Sequence, residues 1–258
     1  MKMIKEENIV FNKANQVLDI YLPNDNDVKA VFLYFHGGGL EKSSKESAEK
    51  FASYLTERKV AVVSANYRMY PEYKYPDFLD DAADAVKWVI DNGLKFGGCK
   101  KIFVGGSSAG AYISMMLCFN KEYLEMRNIF PDRIAGFIHD SGQPTAHYNV
   151  LKYSGIDSRR VIIDERAPLY FVGLEESYAP MLFLVADNDM ENRYEQTILT
   201  VSTLKHFGYD MSKVKFKLMH GKHCEHCSAK ENDGTSVFGR VIFDFLSEAI
   251  YEDTVDRK

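Results

Sequence analysis

No apolar run in the chain approaches the roughly 18 residues that a helix needs to span a bilayer. The opening MKMIKEENIV puts charges where a secretory signal would need its apolar centre. A soluble, cytoplasmic protein is therefore expected. Dense Lys/Arg tracts are also missing and the formal net charge is −5, which argues against a nucleic-acid partner. Cysteine is scarce: Cys99, Cys118, Cys224 and Cys227 in 258 residues are too few for a disulfide framework. Internal repeats, low-complexity segments and Pro/Gly-rich linkers are lacking as well. With 46% hydrophobic residues, a sizeable core can form. One domain over residues 1–258 is the expectation.

What is present is an alternation of strand-length apolar runs and helix-period segments. Residues 7–13 and 16–22 read as an antiparallel hairpin with Asn15 near its turn. AVFLYF (30–35) and VAVVSA (60–65) are continuous apolar runs, as in strands buried on both faces. Helical spacing covers 44–58 and 77–91; in the second, Phe78, Leu79, Ala82, Val86, Val89 and Ile90 form one stripe. Further strands are expected at KIFVGG (101–106), 133–140, 181–187 and 214–220, with helices at 109–119, 191–207 and 235–250. This order predicts an α/β fold: a mostly parallel, twisted sheet of about eight strands, an antiparallel N-terminal hairpin, and helices on both faces. Residues 142–179 break the rhythm and read as a functional insertion.

The strand-to-helix junction GGSSAG (105–110) satisfies G-x-S-x-G once, centred on Ser108. A nucleophile on so sharp a turn needs tiny residues two positions either side, because the backbones crowd there. The helix that follows offers free N–H groups and its positive dipole end to developing negative charge. A phosphate-binding P-loop is excluded because no Gly-Lys-Ser/Thr follows, and the glycine spacing does not fit a dinucleotide fingerprint. HGGG (36–39) ends the strand 30–35 and can bring main-chain amides to the same place. Gly38 and Gly39 are the favoured oxyanion donors with Ala109; Gly37 is an alternative, and His36 braces the loop.

An activated serine needs a base, and the base an orienting acid. The strand 181–187 leads to Asp187 and Asp189, and the strand 214–220 to His220, His223 and His226. Asp189 and His223 are preferred because each falls just past its strand; Asp187 is assigned to bracing the turn. The tract HGKHCEHC (220–227) also has metal-ligand residue types, but all on one short loop with no second cluster. No metal and no cofactor is expected.

Four blocks together resemble the α/β-hydrolase fold in its HGGG-bearing, hormone-sensitive-lipase-like branch of carboxylesterases. They are HGGG, the run NYRMYPEYKYPDFLDDAADAVKWV (66–89), GGSSAG, and the late Asp189 and His223. The resemblance implies a serine hydrolase of carboxylic esters with Ser108, Asp189 and His223 as catalytic triad. Its partner would be a small-molecule ester, and a homodimer is compatible with the fold. An aryl-formamide amidohydrolase and a non-catalytic small-molecule receptor are the alternatives. In the 66–89 run, Arg68 is expected to pair with Asp80 or Asp81, and its tyrosines to pack. Family members often carry a long segment before HGGG that contributes to a cap. Here two hairpin strands occupy most of the residues ahead of His36, so a small cap from 142–179 and short or hydrophilic esters are expected.

Overall fold

A computed structural model describes residues 3–25 and 27–252; the outermost ends of the expected domain, 1–2 and 253–258, lie outside the described residues. The strands are β1 (Ile4–Val10), β2 (Val17–Leu22), β3 (Ala30–Phe35), β4 (Val60–Ala65), β5 (Ile102–Ser107), β6 (Gly136–Asp140), β7 (Met181–Asn188) and β8 (Val214–Lys222). They form one sheet in the order β1-β2-β4-β3-β5-β6-β7-β8. β1 and β2 are antiparallel to each other and β2 is antiparallel to β4, whereas every pairing from β4 through β3 to β8 is parallel.

The central strands are buried throughout because both sheet faces are covered. Val31, Leu33 and Phe35 of β3 point to one face, with α2 (Asp77–Asp91), α3 (Ala109–Phe119) and Leu204 of the late helix Arg193–His206. Ala30, Phe32 and Tyr34 point to the other, against α1 (Glu49–Thr56) and the C-terminal helix Val237–Glu252. This is the period-2 consequence of a strand with two apolar faces.

The bounds expected for β3, β4, α2 and α3 agree with those observed. Residues 44–58 instead begin with a 3-10 turn at Lys45–Ala48, where Lys45 is drawn inward to pair with the buried Asp19 at 2.9 Å. The strand expected from 133 begins at Gly136, because Pro131–Arg133 forms another 3-10 turn. β1 starts at Ile4 rather than at residue 7, and a bulge between Glu6 and Ile9 shifts its register with β2.

Arg68 takes Asp81, Nε to Oδ2 at 2.8 Å, and reaches Asp77 at 3.3 Å. Asp80 pairs with Arg127 instead. Within 142–179 lie α4 (Tyr148–Tyr153) and a 3-10 turn at Pro168–Phe171. The segment has its own small apolar cluster of Ala146, Leu151 and Ala167. It is tied to the sheet body by Tyr112 Oη donating to the Arg166 carbonyl at 2.7 Å and by the stacking of Tyr153 on Tyr70 at 4.1 Å.

Candidate active site

The carboxyl ends of β3, β5, β7 and β8 deliver the glycine loop, Ser108, Asp189 and His223 to one edge of the sheet, as expected of an open parallel sheet. Ser108 occupies the turn between β5 and α3 with φ 55° and ψ −114°, a sparsely populated backbone region for a non-glycine residue. That strain is held from two sides: the Ser108 N–H donates to the Asp140 carbonyl at 2.7 Å, and the Tyr112 N–H donates to the Ser108 carbonyl at 3.0 Å. The flanking glycines are sterically required. A Cβ at Gly110 would stand 1.9 Å from the Phe35 carbonyl oxygen, and one at Gly106 would stand 2.4 Å from the Gly110 backbone. Ser108 is half-buried, whereas Ser107 is buried with its Oγ 3.5 Å from Cys227 Sγ.

Ser108 Oγ lies 2.8 Å from His223 Nε2, and His223 Nδ1 lies 2.5 Å from Asp189 Oδ1. The acid is fully satisfied. Its Oδ1 also accepts the Met190 N–H at 2.7 Å, while Oδ2 accepts Ser141 Oγ at 2.8 Å and the Ala186 N–H at 3.1 Å. Burial favours the neutral acid, but these donors and the imidazole outweigh it and hold the Asp189 carboxyl down to about 2. For His223, burial works against the imidazolium; the Asp189 hydrogen bond, with Cys224 beside it, outweighs burial and raises the imidazole above its ordinary range.

The remaining candidates of the two late loops separate cleanly. Asp187 accepts from His220 Nδ1 at 2.7 Å and from the Gly221 N–H at 2.9 Å, so it braces the exit of β8. His220 still belongs to β8 and projects into solvent. His226 turns inward, its Nε2 2.7 Å from Asp140 Oδ1, and the Cys227 thiol donates to Asp140 Oδ2 at 3.1 Å. The ligand atoms of Asp140, His226 and Cys227 lie within 4.8 Å of one another, a donor set of zinc-compatible type with three members.

The glycine loop packs on the elbow through its first glycine. A Cβ at Gly37 would lie 3.2 Å from Ser108 Cβ, whereas one at Gly39 would lie 2.6 Å from Tyr148 Oη. Gly38 and Gly39 both have positive φ, at 107° and 68°. His36 is buried, which pushes its imidazole down to about 4; its Nδ1 is 2.7 Å from the Gly37 carbonyl and its ring stacks on Tyr67 at 4.4 Å. The ring is thus a neutral clamp on the loop. Ala109 opens α3 directly behind the serine.

Sequence reasoning passed over Asp140, Ser141, Tyr148 and Arg193. Asp140 ends β6 beside the elbow and Ser141 follows it; the only prior signal was that polar HDS closes an apolar strand. Tyr148 and Arg193 come near the site by tertiary packing.

Residues 32–136 match the family model of the alpha/beta hydrolase fold. Carboxylesterase NlhH of Mycobacterium tuberculosis is 35% identical over 97 residues, which cover 37% of this chain and 30% of that protein. A gibberellin receptor of Arabidopsis thaliana is 39% identical over 108 residues, covering 38% of this chain and 30% of the receptor. The matched segments thus span less than a third of the length of these curated relatives. A solved thermophilic esterase of Thermogutta terrifontis with butyrate bound has a TM-score of 0.74 at 19% identity, covering 95% of this chain and 94% of that one. No helix of the described residues is long and apolar enough to cross a membrane. By its sheet order and its likeness to that solved esterase, the chain has the α/β-hydrolase fold, and residues 32–136 carry the match to the family model.

Proposed function

We propose that the protein hydrolyses small carboxylic esters through a serine acyl-enzyme. The observation that most supports this reading is the unbroken hydrogen-bonded chain from Asp189 through His223 to Ser108, ending on a strained and accessible turn. Ser108 Oγ attacks the ester carbonyl while His223 Nε2 takes its proton. The alcohol leaves with that proton, and water activated by the same nitrogen then releases the acid. Asp189 fixes the tautomer that leaves Nε2 free to accept, and it stabilises the imidazolium that forms.

The tetrahedral oxyanion is held in this reading by the Ala109 N–H and by amides of the glycine loop. Gly38 and Gly39 were favoured on spacing. Gly37 remains the alternative donor; it is the glycine packed on the elbow, where a Cβ would stand 3.2 Å from Ser108 Cβ. One such donor contributes about 3 kcal/mol to transition-state stabilisation.

Residues 142–179 serve as a small cap on a single hydrolase domain. Asn149 Nδ2 donates to the Gly39 carbonyl at 2.6 Å, and Tyr153 Oη donates to Glu41 at 2.8 Å, so the cap rests on the oxyanion loop itself. The buried polar residues Gln143 and Thr145 in this segment suit a short or hydrophilic ester better than a long acyl chain.

The test is hydrolysis of p-nitrophenyl acetate by the wild type and by Ser108→Ala. A fall of about 10⁴-fold or more in kcat, with an unchanged circular dichroism spectrum, is expected; retained activity overturns the mechanism. A series from acetate to octanoate should favour the short chains, and an aryl formamide in the same screen separates ester from amide cleavage.

A further inference from the structure

Arg193 is the first residue of the helix Arg193–His206 and only 5% exposed. Its Nε and Nη1 are enclosed and hydrogen-bond to no protein group. Other arginines of the chain are used differently: Arg68, Arg127 and Arg166 each put their guanidinium nitrogens onto carboxylates. An arginine does not shed its proton on burial. An enclosed guanidinium therefore calls for an anion to take its donors.

The surroundings of Arg193 locate that anion at the catalytic edge. Arg193 follows Asp189 by four residues, and its N–H closes the connecting turn onto the Met190 carbonyl at 3.0 Å. One turn further along the helix, Gln196 Oε1 accepts from Thr145 Oγ1 at 3.2 Å, which seats residues 143–149 against this end of the helix. His147 and Tyr148 of that segment stack at 4.4 Å, and Tyr148 Oη abuts Gly39. The charged and titratable groups that face Arg193 are Asp189, Cys224, Tyr148 and His147. None of them supplies the missing acceptor. Both Asp189 oxygens are committed to His223, Met190, Ser141 and Ala186. His147 is buried and neutral, and accepts from the Asn149 N–H. The guanidinium thus stands between the triad acid and the tyrosine that contacts the glycine loop.

We propose that Arg193 is a specificity-determining residue of this cleft, and that the ester attacked by Ser108 carries a carboxylate or another anionic oxygen group on its acyl or its alcohol portion. The proposal rests on the esterase reading above. Nε and Nη1 lie on different edges of the guanidinium, so each is matched to an anionic oxygen by a single charge-assisted hydrogen bond. Anion binding there orients the ester and fills a buried cation's coordination in one step, so the selectivity is expected in KM more than in kcat.

Matched substrate pairs test it. On the acyl side, mono-p-nitrophenyl glutarate is compared with its methyl ester. On the alcohol side, 4-acetoxybenzoate and 4-acetoxyphenyl phosphate are compared with phenyl acetate, which also separates carboxylate from phosphate. The wild type is expected to prefer the anionic member of at least one pair by about tenfold or more in kcat/KM, mainly through KM. Arg193→Met should erase that ratio while the neutral partner changes less than about threefold, and Arg193→Lys should keep part of it. Equal turnover of anionic and neutral members by the wild type overturns the proposal. So does an equal loss on both members in Arg193→Met, which would make Arg193 only a counter-charge to Asp189.

If Arg193→Met does not fold, the Lys variant and inhibition by free glutarate and benzoate decide. Competitive inhibition by at least one of them, weakened in the Lys variant, supports the site; its absence removes it. Calorimetric titration of Ser108→Ala with the same anions reads binding without turnover. A protein that binds them but hydrolyses no ester refutes the esterase reading and keeps the anion site.

Discussion

Asp187 with His220 and Asp189 with His223 are made of the same residue types, at the ends of the same two neighbouring strands, and both join a carboxylate to an imidazole Nδ1. Their surroundings differ. His220 and Asp187 lie within β8 and β7, and the His220 side chain is 98% exposed. Asp189 and His223 each fall one residue past the strand end, where the chain is free to turn toward β5; the Asp189 side chain is 1% exposed and His223 meets Ser108. A third pair, Asp140 with His226, is wholly buried, and the Asp140 carbonyl accepts the Ser108 N–H of the elbow. Identical chemistry is thus assigned to solvent, to the reacting edge and to the interior by where each strand stops. An exposed pair is screened and contributes little, whereas a buried one is coupled to whatever it touches.

The comparison breaks most sharply if the middle pair is disarmed. His223→Ala is expected to lower kcat for p-nitrophenyl acetate by about 10⁴-fold or more, while His220→Ala leaves it within about twofold. Comparable losses in the two variants would undo the assignment. Asp189→Asn should cost roughly 10⁴-fold by favouring the wrong imidazole tautomer, against little effect for Asp187→Asn.

The same substitution tests the electrostatics. In the proposed mechanism His223 acts as a neutral base, and its imidazole is held above 6.5, so kcat/KM should climb with pH on an acidic limb above that value. Residual activity of Asp189→Asn should show the limb displaced to lower pH; a limb that stays in place means Asp189 does not set it.

Stability probes the buried pair. Asp140→Ala leaves His226 and Cys227 without their acceptor and should destabilise the fold by about 3–5 kcal/mol, read by urea unfolding. The smallest effect concerns low pH. Asp189, held down to about 2 against an ordinary 3.8, contributes stability that is complete above the unfolded value and lost as pH falls through the folded one. Wild type and Asp189→Asn should therefore converge in stability between about pH 4 and 2.

The legible parts of the molecule were those governed by local pattern. Continuous apolar runs mark strands with two covered faces, and the stripe from Phe78 to Ile90 marks α2 because a 3.6-residue period has one geometric meaning. Less legible were the places where a neighbour distant in sequence intervenes. Lys45 is pulled inward by Asp19 and turns the start of a helix into a 3-10 turn. Of the two acids expected for Arg68, Asp81 is taken, because Arg127 claims Asp80. In the site, a Cβ at Gly37 would meet Ser108 and one at Gly39 would meet Tyr148, a matter of how the loop bends after β3.

The sequence by itself determined the sheet, its parallel order of elements and the residues that could act as nucleophile, base and acid. These follow from hydrophobic period and from the steric demand that leaves only glycine room at 106 and 110. Only the tertiary structure decided which of three histidines meets Ser108 and which of two aspartates meets that histidine. It alone also left the Arg193 guanidinium enclosed beside them without an acceptor. Those outcomes depend on the direction in which each chain leaves its strand and on what covers it, and neither is written in a local pattern.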